Sequence, residues 1–172
     1  RRQDFSKHER IESVRFASLL LASLWIGGLA ALGAVAAPEV FAVLEGRDPA
    51  GGRTAAGVVF GAVLHRAQFW LWIVGGLQFL LRAARAVIGP RPRGFKWQLG
   101  ILAGMLAVSG YADLVIAPRI AAIRDHTPVA MAALPATDPV RMEFGRLHGQ
   151  SNGLLALALA GAVSMLWLDR RE

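Results

Sequence analysis

Two histidines have the residue type and the surroundings for chemistry. His65 lies in FGAVLHRAQ (residues 60–68) and His148 in FGRLHGQSN (residues 144–152), so each is preceded by a Phe-Gly pair and opens on an apolar run. Two neutral imidazoles facing each other could ligate a haem iron or a copper ion. The alternative is that each histidine hydrogen bonds to a carboxylate or to the backbone. The chain has no cysteine, which excludes thiolate ligands, disulfides and cysteine nucleophiles.

Asp113 is the carboxylate most deeply placed in an apolar run. It follows Trp97 by 16 residues, which is about 24 Å along a helix. A charge at that depth costs at least about 2.5–3.5 kcal/mol unless it is paired or hydrated. The sequence predicts Arg66 or Arg146 as its partner in a packing salt bridge, and the alternative is a path for protons or ions. The polar cluster expected here consists of Glu39, Arg66, Asp113, Arg119 and Arg146.

The elements that must position these residues are membrane helices. Apolar residues make up 55% of the chain and charged residues 18%, and the charges lie between long uncharged runs. About 20 apolar residues span the ~30 Å hydrocarbon layer as a helix. A soluble domain would have to bury four helices that are apolar all round, with too little polar sequence to cover them. The sequence therefore predicts an all-α, integral membrane four-helix bundle.

One transmembrane domain is predicted over residues 1–172, with spanning helices at about 12–43, 66–88, 97–123 and 139–168. Residues 54–64 read as a helical segment that continues into the second of these. The breaks fall in the loop 45–52, which contains Pro, Asp and three Gly, in the loop 125–138, which contains Pro128 and Pro135, and in a basic turn around residues 89–93.

The chain has the marks of an internal repeat. APEVFAV (residues 37–43) aligns without gaps with APRIAAI (residues 117–123), and the two histidine motifs follow in the same order. Two helical hairpins related as parallel repeats are predicted, and chance similarity in an Ala-rich chain is the alternative. If the repeat holds, Glu39 and Arg119 pair, the third helix lies beside the first, and both histidines face one outer cavity.

The positive charges predict the orientation. Of the Lys and Arg residues, 12 lie in the two tails and the middle turn, whereas 7 lie in the other two loops and their helix ends. The positive-inside rule therefore places both tails in the cytoplasm. We call the end with the tails and the middle turn the inner end, and the opposite one the outer end. Basic residues at the ends of apolar runs suit anionic lipid, so nucleic acid is not an expected partner.

Three pairs of glycines have the four-residue spacing that lets membrane helices approach closely. This spacing predicts tight helix packing at Gly57 and Gly61, at Gly100 and Gly104, and at Gly149 and Gly153.

Several short motifs together resemble a known family. They are Trp25-Ile-Gly-Gly28, Ala37-Pro38 with Phe41, Ala50–Arg53, Ala117-Pro118-Arg119 and Arg146–Ser151. Over residues 14–168 the chain resembles the small four-helix membrane family catalogued as domain of unknown function 4149. That family is similar to transmembrane protein 205 and, more distantly, to copper resistance protein D.

The resemblance implies four spanning helices and no assigned chemistry. The distant copper and haem relatives place a histidine ahead of the Trp-x-Gly-Gly motif, whereas residues 19–24 here read LLLASL. The main ligand of those relatives is therefore missing from this chain.

No reaction follows from the sequence. The function it favours is a structural or accessory subunit that packs in a larger assembly of the bacterial inner membrane, with the lipid bilayer and other membrane subunits as partners and without a cofactor. One alternative is a haem- or copper-binding protein that uses His65 and His148. A second is a small proton or ion transporter that uses Asp113.

Overall fold

The computed structural model describes residues 2–88 and 94–170, with side chains from 9 to 88 and from 94 to 169. Every regular element in these residues is a helix, which confirms the all-α fold. In chain order they are Arg2–Ala31, a π-helical turn Leu32–Ala36, Ala37–Arg47, Gly52–Ile88, Phe95–Tyr111, a second π-helical turn Ala112–Ile116, Ala117–His126, a 3-10 turn Met131–Ala133 and Pro139–Arg170. The basic turn predicted around residues 89–93 lies outside the described residues.

Four continuous helices are long and apolar enough to cross a membrane, which indicates an integral membrane protein. We call them the first span (Glu9–Arg47), the second span (Gly52–Ile88), the third span (Phe95–His126) and the fourth span (Pro139–Asp169). Even the shortest, with 31 residues, is roughly 46 Å long, so every span exceeds the ~30 Å hydrocarbon layer.

Aspartates shape both outer loops. Asp48 Oδ1 accepts hydrogen bonds from the backbone N–H groups of Ala50 and Gly51, just before the second span begins. Asp138 Oδ1 accepts one from the N–H of Val140 at 2.8 Å, and the fourth span begins at Pro139, as predicted. The N–H groups at or just before a helix start have no carbonyl acceptor within the helix, and both aspartate side chains supply one.

Two π-helical turns interrupt the first and third spans directly before an Ala-Pro pair. In each, the alanine N–H reaches five residues back, from Ala37 to the Leu32 carbonyl and from Ala117 to the Ala112 carbonyl. Proline has no N–H to donate and its ring clashes with the carbonyl four residues earlier, so a wider turn accommodates it. The two turns lie 80 residues apart, the same offset as the two Ala-Pro motifs.

The spans form a ring in chain order, each packed against its two neighbours. The first and third spans therefore face each other diagonally, and the prediction that they lie side by side is wrong. The predicted Glu39–Arg119 pair does not form for the same reason. Both side chains are exposed and make no ion pair with each other.

The core lies where the first, third and fourth spans converge. Its buried members are Trp25, Leu29, Leu102, Met105, Ala162 and Met165. Close approach is provided by glycine, since a Cβ added to Gly75 would lie 3.2 Å from the Trp25 ring and one added to Gly161 would lie 2.6 Å from Met105 Cγ. Packing of this kind, rather than a hydrophobic driving force, holds helices together in lipid.

The buried positions of the first and third spans follow one register. Each buried residue of the first span has a buried counterpart 80 residues later in the third. The matched pairs are Ser18 and Gln98, Ala22 and Leu102, Trp25 and Met105, and Leu29 and Ser109. With the π-helical turns at the same offset, the first and third spans have equivalent faces toward the axis, which supports the two-hairpin repeat.

Candidate functional site

His65 and Asp113 form a hydrogen-bonded pair between the second and third spans. The His65 Nδ1 atom lies 2.9 Å from Asp113 Oδ1. The aspartate side chain is 13% exposed, and the imidazole is 77% exposed. An ionised carboxylate only accepts hydrogen bonds, so in this pair Nδ1–H donates to Asp113 Oδ1.

This pairing corrects the prediction that Asp113 binds Arg66 or Arg146. Arg146 instead donates to Glu143, one turn earlier on the fourth span, at 2.7 Å. Arg66 is exposed and does not reach the aspartate. The π-helical turn carries Asp113 in its first turn, and the second span packs against the third, so the nearby imidazole is the available partner.

His148 is in a different environment from His65. Its ring stacks on Phe144 of the same helix, with the ring centroids 6.2 Å apart and the planes 4° from parallel. The two histidines make no hydrogen bond or ring contact with each other, because the second and fourth spans face each other across the ring. The predicted shared site for one metal or haem is not assembled by direct contact.

The repeat explains why only one histidine has a carboxylate partner. The gapless offset that matches Ala37 with Ala117 places Gly33 at the position equivalent to Asp113. His148 lies on the fourth span, which packs against the first span as the second packs against the third. A Cβ added to Gly33 would meet no atom within 4 Å, so the position lacks a carboxylate but has room for one.

A second polar group, at the inner end, was not anticipated as a site from the sequence. We call it the inner network: Ser18, Gln78, Arg82, Gln98 and Asp169. All five side chains are buried, and together they come from all four spans.

Asp169 is the centre of the inner network. Its Oδ2 accepts a hydrogen bond from Arg82 Nη2 at 2.9 Å, and its Oδ1 accepts one from Gln98 Nε2 at 3.2 Å. Gln78 accepts from Arg82 Nη1 through Oε1 and donates through Nε2 to the Ser18 carbonyl at 2.8 Å. The buried ion pair is thus hydrogen bonded on both sides, as a buried pair must be to persist.

One sequence signal could have revealed the inner network. Gln78 and Arg82 are four residues apart, so they share a helix face, and Gln78 is a polar residue within an otherwise apolar run. A charge at the end of an apolar run ordinarily reaches into the headgroups, so the position of Arg82 in the sequence does not predict its burial. Its partner lies 87 residues further along the chain, a distance that no local pattern encodes.

The space between the two polar groups is packed with apolar side chains. A cavity of about 10 Å³ lies there, lined by Ala22, Trp25, Gln78, Leu102, Met105, Ala162 and Met165. This volume is close to the minimum for one water molecule. The outer pair and the inner network are therefore separated by a packed core.

The six glycines predicted to pack helices do not do so within the chain. A Cβ added to any of them would meet no atom within 4 Å, which holds for Gly57, Gly61, Gly100, Gly104, Gly149 and Gly153. The close internal approaches occur at Gly75, Gly110 and Gly161 instead. The reason is rotation about the helix axis, since spacing identifies a face but does not tell which way that face points.

The exposed imidazole of His65 can exchange a proton or act as a single ligand. No three side chains of His, Cys, Asp or Glu converge on one point in the described ranges. The carboxylate of Asp113 orients the imidazole in the manner of carboxylates behind catalytic and metal-binding histidines.

Comparison with known families identifies the chain. A family model described as Domain of unknown function (DUF4149) matches residues 20–128. This is more than half of the chain, and the chain belongs to that family. The matched range contains both π-helical turns and the His65–Asp113 pair, and it ends before His148. Comparison with curated proteins and with solved structures finds no match.

Proposed function

We propose that this member of the domain of unknown function 4149 family is a structural or accessory subunit that packs in a larger membrane assembly. The observation that carries the proposal is the outward face of the third span. Gly100, Ala103, Gly104 and Ala107 are all exposed there, between the exposed rings of Trp97 and Tyr111. This gives a smooth strip of small residues with a large aromatic side chain at each end.

In lipid, such a strip is where another helix packs most closely. A helix seated on it gains dispersion contacts along the backbone, because no side chain holds it at a distance. The glycines of the strip have no packing role inside the chain, which favours an external partner. The pairs on the second and fourth spans, Gly57 with Gly61 and Gly149 with Gly153, also have open space where a Cβ would lie and offer further faces of the same kind.

The packed core also favours a structural role over transport or haem binding. A transporter needs a path between the two ends of the bundle, and the side chains around Trp25 leave space for about one water molecule. A haem held inside the bundle would need a chamber many times larger. Neither alternative gains support from the arrangement of His65, His148 and Asp113.

For localisation we propose the bacterial inner membrane, with the inner end in the cytoplasm. The charge distribution supports this orientation, because the positive residues concentrate at that end. The proposed partners are the lipid bilayer and other membrane subunits, and nucleic acid is not among them.

The test is the double substitution Gly100→Leu with Gly104→Leu. The tagged protein is purified from its native membranes in mild detergent, and the masses of the intact complexes are measured. We expect the double variant to lose the additional subunit and to remain folded, because a Cβ at either position meets nothing within the chain. The mass of the lost component tells a different subunit from a second copy.

Gly76→Leu is the matched control. Gly76 is also exposed with open space around it, but Trp72 and Leu80 lie one turn to either side, so it belongs to no strip of small residues. Equal loss of the complex in this control, or an unchanged complex in the double variant, excludes the third span as the docking face.

A further inference from the structure

The inner end of the bundle carries the entire net charge of the protein. Of the 19 Lys and Arg residues, 12 lie at the inner end with 5 acidic residues, whereas the outer end has 7 basic and 7 acidic residues. The outer end is therefore neutral, and the formal charge of +7 belongs to the inner end. Such an imbalance favours an anionic counterpart there and none at the other end.

Arg15, on the first span, is a basic residue of the inner end that lies partly inside the bundle. Its guanidinium is half-buried and donates from Nη2 to the backbone carbonyl of Asp169 at 3.1 Å. Its Nε is buried without a hydrogen-bond partner. Arg15 is also near enough to the Asp169 carboxylate to interact with its charge, but the two oxygens of that carboxylate accept from Arg82 and Gln98.

Other basic groups around the end of the fourth span add to the positive charge near Arg15, which favours binding of an anion. Arg85 adds positive charge near Asp169. Lys96, on the third span, is exposed and makes no hydrogen bond or ion pair within the described residues. The Asp169 carboxylate thus interacts with Arg15, Arg82 and Arg85, and it is already hydrogen bonded to Arg82.

Exposed tryptophans indicate the level of the inner end in the membrane, and therefore which anions are available there. Trp97 is 76% exposed and Trp167 is 49% exposed, both near the inner end of their spans. Exposed tryptophans near the ends of membrane helices lie at the level of the lipid headgroups. The anion abundant at that level is the phosphate of a phospholipid, and a guanidinium binds phosphate through paired hydrogen bonds.

We propose that Arg15 binds the phosphate of an anionic phospholipid in the seam between the first and fourth spans. Lys96 adds attraction from the far side of the fourth span. Bound lipid gives Arg15 an anion of its own, because the Asp169 carboxylate near it is already hydrogen bonded to Arg82 and Gln98, and it draws the first span against the end of the fourth.

The test uses the full chain in lipid nanodiscs that contain equal amounts of phosphatidylglycerol and phosphatidylcholine. Native mass spectrometry counts the lipids that stay bound on release. We expect preferential retention of phosphatidylglycerol, a drop of about fivefold in the ratio for Arg15→Gln, and near-normal retention for Arg15→Lys. Lys96→Gln, which removes no described contact within the chain, lowers the ratio by a smaller factor.

Arg66→Gln removes an exposed arginine at the outer end and leaves the ratio unchanged. An unchanged ratio in folded Arg15→Gln, or an equal drop in Arg66→Gln, overturns the proposal. Thermal melting in pure phosphatidylcholine shows whether Arg15→Gln is folded, and if it is not, Lys96→Gln decides.

A further measurement distinguishes a lipid phosphate from a soluble phosphate compound as the ligand. Inorganic phosphate and glycerol phosphate are added to the protein in an uncharged detergent. The proposal expects no Arg15-dependent rise in melting temperature at millimolar concentrations. A rise equal to that given by phosphatidylglycerol assigns the site to a soluble phosphate compound and overturns the lipid assignment.

Discussion

Asp113 lies in a π-helical turn of the third span and accepts a hydrogen bond from His65 of the second span, with 2.9 Å between Oδ1 and Nδ1. The wide turn has its cause in Pro118, five residues later in sequence, so a backbone feature and a side-chain pair occur together. Single π-helical turns within α-helices are frequent at functional sites.

Breaking this pair should weaken the protein modestly. We expect His65→Ala to lower the free energy of unfolding by about 1 kcal/mol, because the imidazole is largely exposed. Unfolding in mixed micelles with increasing dodecyl sulfate measures the change. His148→Ala is the matched control and should have a smaller effect, since its ring contacts only Phe144 among the described aromatic side chains. Equal effects would show that the hydrogen bond to Asp113 contributes nothing.

Gly33→Asp should create a second pair with His148. The repeat places Gly33 where Asp113 lies in the other half, and the space around it is open. We expect the new carboxylate and His148 to couple by about 0.5–1 kcal/mol, measured by a double-mutant cycle with His148→Ala. The same cycle with His65→Ala in place of His148→Ala should give no coupling. If the new carboxylate couples to His65 and not to His148, position 33 is not structurally equivalent to position 113.

The inner network should be the most sensitive polar group in the protein. Arg82→Leu or Asp169→Leu alone leaves a buried charge without its partner, and we expect a loss of about 3–5 kcal/mol for each. The double substitution should cost less than the sum of the two, because no lone charge remains. Arg53→Ala is the comparison, since Arg53 and Glu45 form an exposed pair at 3.5 Å, which is worth about 0–1 kcal/mol.

Reporter fusions test the orientation. A fusion after Arg93 should report a cytoplasmic location and one after Pro135 an external location, because the positive charges concentrate at the inner end. The readout is a pair of reporters, one active only in the cytoplasm and the other only outside it. The opposite pattern would reverse the proposed orientation, although the Arg15 proposal would keep its charge argument.

Much of the fold follows from local sequence. Uncharged runs of membrane-spanning length predict four helices, Pro139 marks the start of the fourth, and the two Ala-Pro motifs mark equivalent points in the first and third spans. These features are local because a helix satisfies its backbone hydrogen bonds within itself, which lipid requires. The polar partners were not predictable in this way. Arg146 pairs with Glu143 on its own helix, whereas Asp113 pairs with His65 on a neighbouring span.

By itself, the sequence determined that the chain is a four-helix membrane bundle, that its charge lies at one end, and that it has an internal repeat pattern. The tertiary structure alone decided which faces of the helices meet. Membrane helices are apolar on all sides, so no hydrophobic stripe fixes their rotation as it does in a soluble bundle. For this reason Gly100 and Gly104 point outward while Gly75 and Gly161 pack inside, and Arg82 is buried against Asp169 instead of reaching the headgroups.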